Sequence, residues 1–86
     1  MEFAFDPKKS RLNKEKQGID FKEAHKLWED PERLIIPARN LDEPRFLLIG
    51  KIDNQYWSAI FTIRKTEIRL ISVRRSRKNE KEIYEG

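Results

Sequence analysis

Residues 34–73 contain four short apolar segments separated by turn-forming residues, and this pattern constrains the fold more than any other feature. The segments are residues 34–36, 45–51, 56–63 and 67–73. Asp53-Asn54 between the second and third is typical of a tight hairpin turn. Short connections of this kind favour antiparallel pairing, so we predict an antiparallel meander of three or four strands. Pro37 is expected to end the first strand, with a loop over residues 37–44.

The N-terminal residues predict a short strand followed by a helix. Phe3 and Phe5 alternate with less apolar residues, as in a strand. Asp6 is a suitable N-cap, and Pro7 then occupies the first helical position, where a missing backbone donor costs nothing. Gly18 predicts the end of this helix in a left-handed conformation.

A second helix is predicted from a capping box at residues 20–23. Its apolar positions Phe21, Ala24 and Trp28 follow helical spacing, and Asp30-Pro31 ends it. Ser76 is expected to cap a final helix. The predicted order is β-α-α, then the meander, then α, which indicates an α+β fold with helices against one face of a sheet. We expect a single domain over residues 1–86.

Basic residues are concentrated in two segments of the chain. Residues 7–22 carry a net charge of +4 and residues 64–81 a net charge of +6, whereas residues 23–63 carry −2. If the fold brings the two basic segments together, they form one surface for a polyanion. A solvated surface without a ligand is the alternative.

The last predicted strand leads directly into a basic cluster. Ile68, Leu70 and Ser72 are expected on one face of this strand, with Arg69, Ile71 and Val73 on the other. The cluster that follows consists of Arg74, Arg75, Arg77 and Lys78. The first helix offers a further basic face, made of Lys8, Lys9, Arg11, Lys14 and Lys16.

Composition excludes several chemistries. The chain has no cysteine, one histidine and no carboxylates clustered at ligand spacing, so we expect no metal and no cofactor. His25 is expected to be a partly buried structural residue. The alternating Phe46, Trp57 and Phe61 are expected in the core rather than as stacking platforms for bases. Because we also find no signal peptide and no apolar run long enough for a bilayer, we predict a cytoplasmic protein.

With metal, thiol and histidine chemistry set aside, arginine and lysine are the side chains left to act on a substrate. These residues are able to promote RNA cleavage. The neighbouring 2′-hydroxyl of RNA supplies the nucleophile, so the protein has to align it and stabilise the charge that develops on the phosphorane. Planar guanidinium groups match phosphate oxygens well, and a lysine or glutamate with a shifted pKa is able to move the proton. A module that only binds RNA would have a similar composition.

Several groups of residues also occur in a specific order. The first is Phe3-x-Phe5-Asp6-Pro7-x-Lys9-x-x-x-Asn13-x-x-Lys16-Gln17-Gly18-Ile19-x-Phe21-x-Glu23-Ala24, followed by Trp28-x-Asp30-Pro31. The others are Arg45-Phe46-Leu47-Leu48-Ile49-Gly50-Lys51 and Ile68-Arg69-Leu70-Ile71-Ser72-x-Arg74-Arg75, with Glu80 and Tyr84 after them. In this order, from Phe3 to Tyr84, the chain resembles the BrnT family of toxins, relatives of the RelE-like ribonucleases of bacterial type II toxin–antitoxin pairs.

The resemblance implies a RelE-like fold and a toxin that cleaves RNA and arrests growth. It also implies a partner antitoxin, typically with a ribbon-helix-helix DNA-binding part, in a heterotetramer that represses its own operon. The catalytic residues that it implies are Lys16, Arg64, Arg74 and Glu80. Lys16 and the arginines would bind phosphate and stabilise charge, and Glu80 would orient an arginine or move a proton. A salt bridge within the helix is the alternative for Glu80. We expect the RNA-binding residues to be Lys9, Arg69, Arg75, Arg77 and Lys78.

The chain departs from the family pattern at two positions. Family members usually have histidine where this chain has Gln17, and commonly glutamate where it has Ile63. Glutamine retains hydrogen bonding, whereas isoleucine does not replace a carboxylate. A relative that binds nucleic acid or an antitoxin without cleaving RNA is therefore the alternative function.

Overall fold

In the computed structural model, which describes residues 2–38 and 43–86, five strands form one mixed sheet. They are β1 (Glu2–Ala4), β2 (Leu34–Ala38), β3 (Arg45–Ile52), β4 (Gln55–Arg64) and β5 (Glu67–Arg75). The order across the sheet is β1-β5-β4-β3-β2. Strands β2 to β5 pair antiparallel in sequence, which confirms the predicted meander with four strands. Strand β1 adds a fifth strand, parallel to β5, and the fold is α+β as predicted.

The first helix, α1 (Pro7–Gln17), has the boundaries that the sequence predicts. The Asp6 Oδ1 atom accepts a hydrogen bond from the Lys8 backbone N–H at 2.8 Å, and this satisfies one free donor of the first turn. Gly18 ends the helix with φ of 82°, a left-handed conformation that glycine adopts without a Cβ penalty.

The second helical segment is a 3₁₀ helix, Glu23–Glu29, rather than an α-helix. The predicted capping box is present, because the Glu23 N–H donates to Asp20 Oδ1 at 2.7 Å and the Asp20 N–H donates to Glu23 Oε1 at 3.0 Å. The buried side chains are Phe21, Ala24 and Leu27. Ala24 and Leu27 are three residues apart, which matches the three residues per turn of a 3₁₀ helix, so this geometry points both into the core. Phe21 lies in the turn before the helix.

The final helix, α2 (Lys78–Glu85), has Arg77 as its N-cap, so the prediction of Ser76 was wrong. The Arg77 N–H donates to Glu80 Oε1 at 2.8 Å. Ser76 instead turns inward, where its Oγ lies 2.8 Å from Ser58 Oγ. A buried hydroxyl needs a partner, and Ser58 provides one in the sheet.

Strand β2 does not stop at Pro37, as the sequence predicted, but continues to Ala38. Pro37 pairs in register with Phe46. Because β2 is at the edge of the sheet, proline removes no hydrogen bond that another strand needs. Residues 39–42 of the predicted loop lie outside the described residues.

An irregularity in β5 changes which side chains reach the core. Leu70 pairs with Phe61 and Ser72 with Ile60, so Ile71 is an extra residue in β5. Such a bulge reverses the alternation of the side chains beyond it. Val73 is therefore in the core, at 1% exposure, together with Ile68 and Leu70. Regular alternation predicts Val73 on the opposite face, with Arg69, and that prediction is wrong.

The two faces of the sheet differ in what covers them. The core face carries Trp57, Ala59 and Phe61, and the 3₁₀ segment packs against it. The opposite face carries Ser58, Ile60 and Thr62. Helix α2 covers one end of this second face through Ser58, so the expectation that all helices lie against one face was wrong. We call the remainder of the second face the open face.

Helix α1 is joined to the edge of β5 by one side chain. Strand β1 pairs only with the first residues of β5, which leaves the edge near Val73 without a strand. The Asn13 Nδ2 atom donates to Val73 O at 2.9 Å, and Asn13 Oδ1 accepts from Val73 N at 3.1 Å. Asn13 Nδ2 also donates to Ile19 O at 2.8 Å. The amide thus replaces a neighbouring strand and fixes α1 beside the open face.

Candidate functional site

A cleft of about 280 Å³ lies between α1 and the C-terminal half of β5. We call it the first cleft. It is lined by Lys9, Leu12, Asn13, Lys16, Gln17, Ile71, Ser72, Val73 and Arg74. Three of the sequence-predicted site residues therefore meet here although they come from opposite ends of the chain. The hydrogen bonds between Asn13 and Val73 hold α1 beside β5 and so set the distance between the α1 lysines and Arg74.

Arg74 is held in the first cleft by a bidentate ion pair. Its Nη1 donates to Glu80 Oε1 and its Nη2 to Glu80 Oε2, both at 2.8 Å. Arg74 Nη1 also donates to the carbonyl oxygen of Arg75 at 3.3 Å. Fork-to-fork pairing of this kind fixes the plane of a guanidinium group as well as its position.

The pairing of Arg74 with Glu80 leaves one edge of the guanidinium available. An arginine has five N–H donors, and Glu80 and the carbonyl of Arg75 take both hydrogens of Nη1 and one of Nη2. The Nε hydrogen and the second Nη2 hydrogen remain. These two donors are parallel, as two phosphate oxygens require.

Glu80 is a buried anion rather than a proton carrier. Its side chain accepts hydrogen bonds from Arg74, from the Arg77 N–H and from Ser58 Oγ at 2.9 Å, and the residue is 5% exposed. These partners, Arg74 first, lower the pKa of Glu80 to about 2. A carboxylate this acidic stays ionised at neutral pH, so Glu80 orients Arg74.

A second cleft, of about 260 Å³, lies further along the same face of the sheet. It is lined by Asp6, Lys9, Glu43, Arg45, Thr62, Arg64, Arg69, Leu70 and Ile71. Arg64 Nη2 lies 3.1 Å from Glu43 Oε2 in an exposed ion pair. The second cleft therefore carries four basic and two acidic side chains.

The two clefts are neighbours but not one site. Lys9 and Ile71 line both of them. Arg74 pairs with Ser58 in β4, and Arg64 lies six residues further along that strand. A rise of about 3.3 Å per residue puts the two arginines about 20 Å apart along the strand. Their side chains line different clefts and pair with different carboxylates, Glu80 for Arg74 and Glu43 for Arg64.

Three other predicted RNA-binding residues line neither cleft. Arg75 lies on the core face, with its guanidinium carbon 5.2 Å from the centroid of the Trp57 ring. Adjacent residues in a strand point to opposite faces, so Arg74 and Arg75 are separated by the sheet. Arg77 and Lys78 are exposed at the start of α2.

The two positions that depart from the family pattern differ in location. Gln17 lines the first cleft, within reach of a ligand near Arg74. Ile63 pairs with Ile68, whose side chain is in the core, so Ile63 faces away from both clefts. His25 is half-buried, as predicted, with its ring centroid 4.2 Å from that of Phe3.

Two residues of this region, Arg45 and Ser58, were not predicted from the sequence. Arg45 is directly opposite Thr62, and Thr62 is opposite Arg69, so the three residues form a row across three strands. The two-residue turn at Asp53-Asn54 fixes this register and was visible in the sequence. Ser58 had no comparable signal, because only the docking of α2 gives it a role.

The residues that the structure describes include neither a membrane-spanning helix nor a group of metal ligands. Within residues 2–38 and 43–86, no helix is long and apolar enough to cross a membrane. The same residues include no group of three or more histidine, aspartate or glutamate side chains arranged to hold a metal ion.

Comparison with known proteins identifies the family. Residues 5–80 match the family described as ribonuclease toxin, BrnT, of type II toxin–antitoxin system. A search among curated proteins gives no match. The matched range includes α1, all of β2 to β5 and the Arg74–Glu80 pair. Because it covers most of the chain, this protein belongs to the BrnT family of ribonuclease toxins of type II toxin–antitoxin systems.

Proposed function

We propose that the chain is a metal-independent endoribonuclease toxin that cleaves RNA in the first cleft. The observation that carries this proposal is the Arg74–Glu80 ion pair beside Lys9 and Lys16. Glu80 holds the guanidinium so that two parallel donors remain for phosphate. A positive group fixed in advance stabilises developing charge better than one that has to reorganise.

In the proposed reaction the 2′-oxygen of the substrate attacks the adjacent phosphorus. The O2′–P bond forms, the P–O5′ bond breaks, and the products are a 2′,3′-cyclic phosphate and a 5′-hydroxyl. Arg74 binds the non-bridging oxygens through Nε and Nη2. Lys16 donates a proton to the leaving 5′-oxygen and regains one from solvent, while water takes the proton of the 2′-hydroxyl.

The other proposed contacts hold the substrate on either side of the cleaved bond. Lys9 lines both clefts and so is able to contact a phosphate next to the one at Arg74. Arg64 and Arg69 line the second cleft, and the backbone of Arg64 is about 20 Å along β4 from the residue opposite Arg74, so we assign them to substrate binding. Arg77 and Lys78 at the start of α2 are available to a longer RNA.

The test is cleavage of a labelled RNA by the purified protein in the presence of EDTA. The proposal expects cleavage products that end in a cyclic phosphate, and none from the same oligonucleotide with 2′-deoxy sugars. Intact RNA after incubation with folded protein would contradict it. Cleavage that requires added divalent metal would contradict the metal-independent mechanism.

We also propose the partner that the family implies. The chain would bind a ribbon-helix-helix antitoxin in the cytoplasm, as a heterotetramer that contacts operator DNA only through the antitoxin, and its fold would be RelE-like. The match to a family of type II toxins supports an antitoxin partner, and the α+β architecture is consistent with the expected fold. Co-expression with the product of the adjacent reading frame, followed by a mass measurement of the complex, tests the stoichiometry.

A second candidate function is nucleic-acid or antitoxin binding without cleavage. The observation that favours it is the composition of the first cleft, whose described lining includes neither histidine nor a carboxylate, with Gln17 where relatives usually have histidine. This function predicts affinity for RNA that falls by about tenfold or more between about 50 and 200 mM salt, without products. Growth arrest on expression would distinguish the toxin from a binding module.

A further inference from the structure

The second cleft contains a row made of Arg45, Thr62 and Arg69, and within it Arg45 has no role in the proposed reaction. Arg45, Thr62 and Arg69 are adjacent on β3, β4 and β5 and point to the open face. Neighbouring strands are about 4.8 Å apart, so the two arginine backbones are separated by about 10 Å. Long side chains at this spacing are able to converge on one small anion between them.

Arg45 shows an unused donor in this row. Its Nε atom is buried and has no hydrogen-bond partner among the described residues. An unpaired buried donor is costly, and most such groups in folded proteins find a partner. The neighbouring Thr62 directs its hydroxyl hydrogen to the carbonyl oxygen of Pro44 at 2.6 Å. The guanidinium group of Arg45 lines the second cleft, so an anion bound there is able to pair with it.

Glu43 already places a carboxylate beside this row. Its Oε2 lies 3.1 Å from Arg64 Nη2, and both residues line the second cleft with Arg45 and Arg69. The ion pair is exposed to solvent, so it is weak and easily exchanged. A carboxylate and a phosphate oxygen compete for the same donors.

We propose that the second cleft is a phosphate subsite, in which Arg45 and Arg69 bind a backbone phosphate of single-stranded RNA and Glu43 is a built-in competitor for it. The inference rests on the proposed function for the identity of the ligand. The phosphate bound here is a different one from that at Arg74, because Arg69 and Arg74 are five positions apart in β5 and line different clefts. The subsite therefore adds affinity only for RNA long enough to reach both clefts.

The test measures binding of two 2′-O-methyl uridine oligonucleotides, a hexanucleotide and a dinucleotide. Both keep the phosphates but lack the attacking hydroxyl. Glu43→Gln is expected to tighten binding of the hexanucleotide roughly three- to fivefold, because one competing charge is removed. Arg45→Gln is expected to weaken it and to reduce the slope of log K against log salt by about 0.7, the value for one single-strand phosphate. Neither variant should alter binding of the dinucleotide, which has a single phosphodiester.

Matched variants control for net charge and folding. Glu29→Gln removes one exposed carboxylate from the 3₁₀ segment on the core face, and it is expected to leave hexanucleotide binding unchanged. Arg45→Lys keeps the charge and is expected to retain the wild-type salt slope with weaker binding. Equal effects of Glu43→Gln and Glu29→Gln would overturn the role of Glu43. An unchanged salt slope in folded Arg45→Gln would overturn the subsite.

The binding test distinguishes failure of the phosphate subsite from failure of the proposed cleavage mechanism. If RNA is not cleaved but the length-dependent effects appear, the subsite stands and the cleavage mechanism falls. If RNA is cleaved at the first cleft but the hexanucleotide and the dinucleotide respond alike to both variants, the subsite falls and the cleavage mechanism stands.

Discussion

Arg74 and Glu80 form a bidentate ion pair that connects the end of β5 to the first turn of α2. Both N···O distances are 2.8 Å, and the Glu80 side chain is buried against Ser58. The pair therefore has two consequences: it orients a guanidinium in the first cleft and it anchors the last helix to the sheet.

The first prediction concerns Glu80→Gln. This change keeps the shape of the side chain but leaves Arg74 without its counter-charge, so we expect the free energy of unfolding to fall by about 3 kcal/mol at pH 7. Urea denaturation followed by circular dichroism measures it. Glu82→Gln, an exposed position on the same helix, is expected to change stability by less than about 0.5 kcal/mol. Equal stability of the two variants would contradict the account.

The same pair predicts a pH dependence. The pKa of Glu80 is lowered to about 2, principally by its hydrogen bonds with Arg74, from an unfolded value of 4.5. The contribution to stability is therefore complete above about pH 5 and disappears as the pH falls towards 2. The stability difference between wild type and Glu80→Gln should shrink across this range. A difference that stays constant from pH 7 to 3 would be inconsistent with an ionised Glu80 in the fold.

A second structural prediction concerns Asn13→Ala. The substitution removes three hydrogen bonds and leaves the Val73 N–H without an acceptor in the edge of β5. We expect a loss of about 2–3 kcal/mol and faster hydrogen exchange at the Val73 amide. Leu12→Ala is a suitable control, since Leu12 is 53% exposed on the same helix. Unchanged protection of Val73 in Asn13→Ala would show that α1 is held in another way.

The pKa of His25 reports how the residue packs against Phe3 in β1. Burial against Phe3 lowers the pKa of His25 below its ordinary 6.5. Because the fold favours neutral imidazole, the contribution of this residue to stability rises with pH through the interval below 6.5 and is complete above it. It is the single histidine, so an NMR titration reports it without ambiguity. A measured pKa at or above 6.5 would contradict the described packing.

Local chemistry made part of this fold predictable. The Asp6 cap, the Gly18 stop and the turn at Asp53-Asn54, whose φ angles are 50° and 67°, depend on a few adjacent residues. The parallel pairing of β1 with β5 was not predictable in this way, because it joins residues more than sixty positions apart.

The candidate site was harder to predict, because its geometry depends on the bulge at Ile71. Regular alternation along β5 assigns Val73 to the wrong face, whereas the extra residue places Val73 in the core and Arg74 towards the first cleft. The family resemblance grouped Lys16 with Arg74, and both line the first cleft. It did not show that Arg75 is on the other face, or that Arg64 belongs to a separate cleft.

Comparison of Arg74→Lys with Arg75→Lys is the measurement that tests the proposed mechanism most directly. Both changes conserve net charge at adjacent positions, but only Arg74 lines the first cleft. With a labelled RNA and EDTA, we expect Arg74→Lys to reduce the cleavage rate about 100-fold, because lysine lacks the fork that binds two phosphate oxygens. Arg75→Lys should remain within about threefold of wild type. Equal losses in the two variants, or full activity of Arg74→Lys, would contradict the assignment of the first cleft as the site of cleavage.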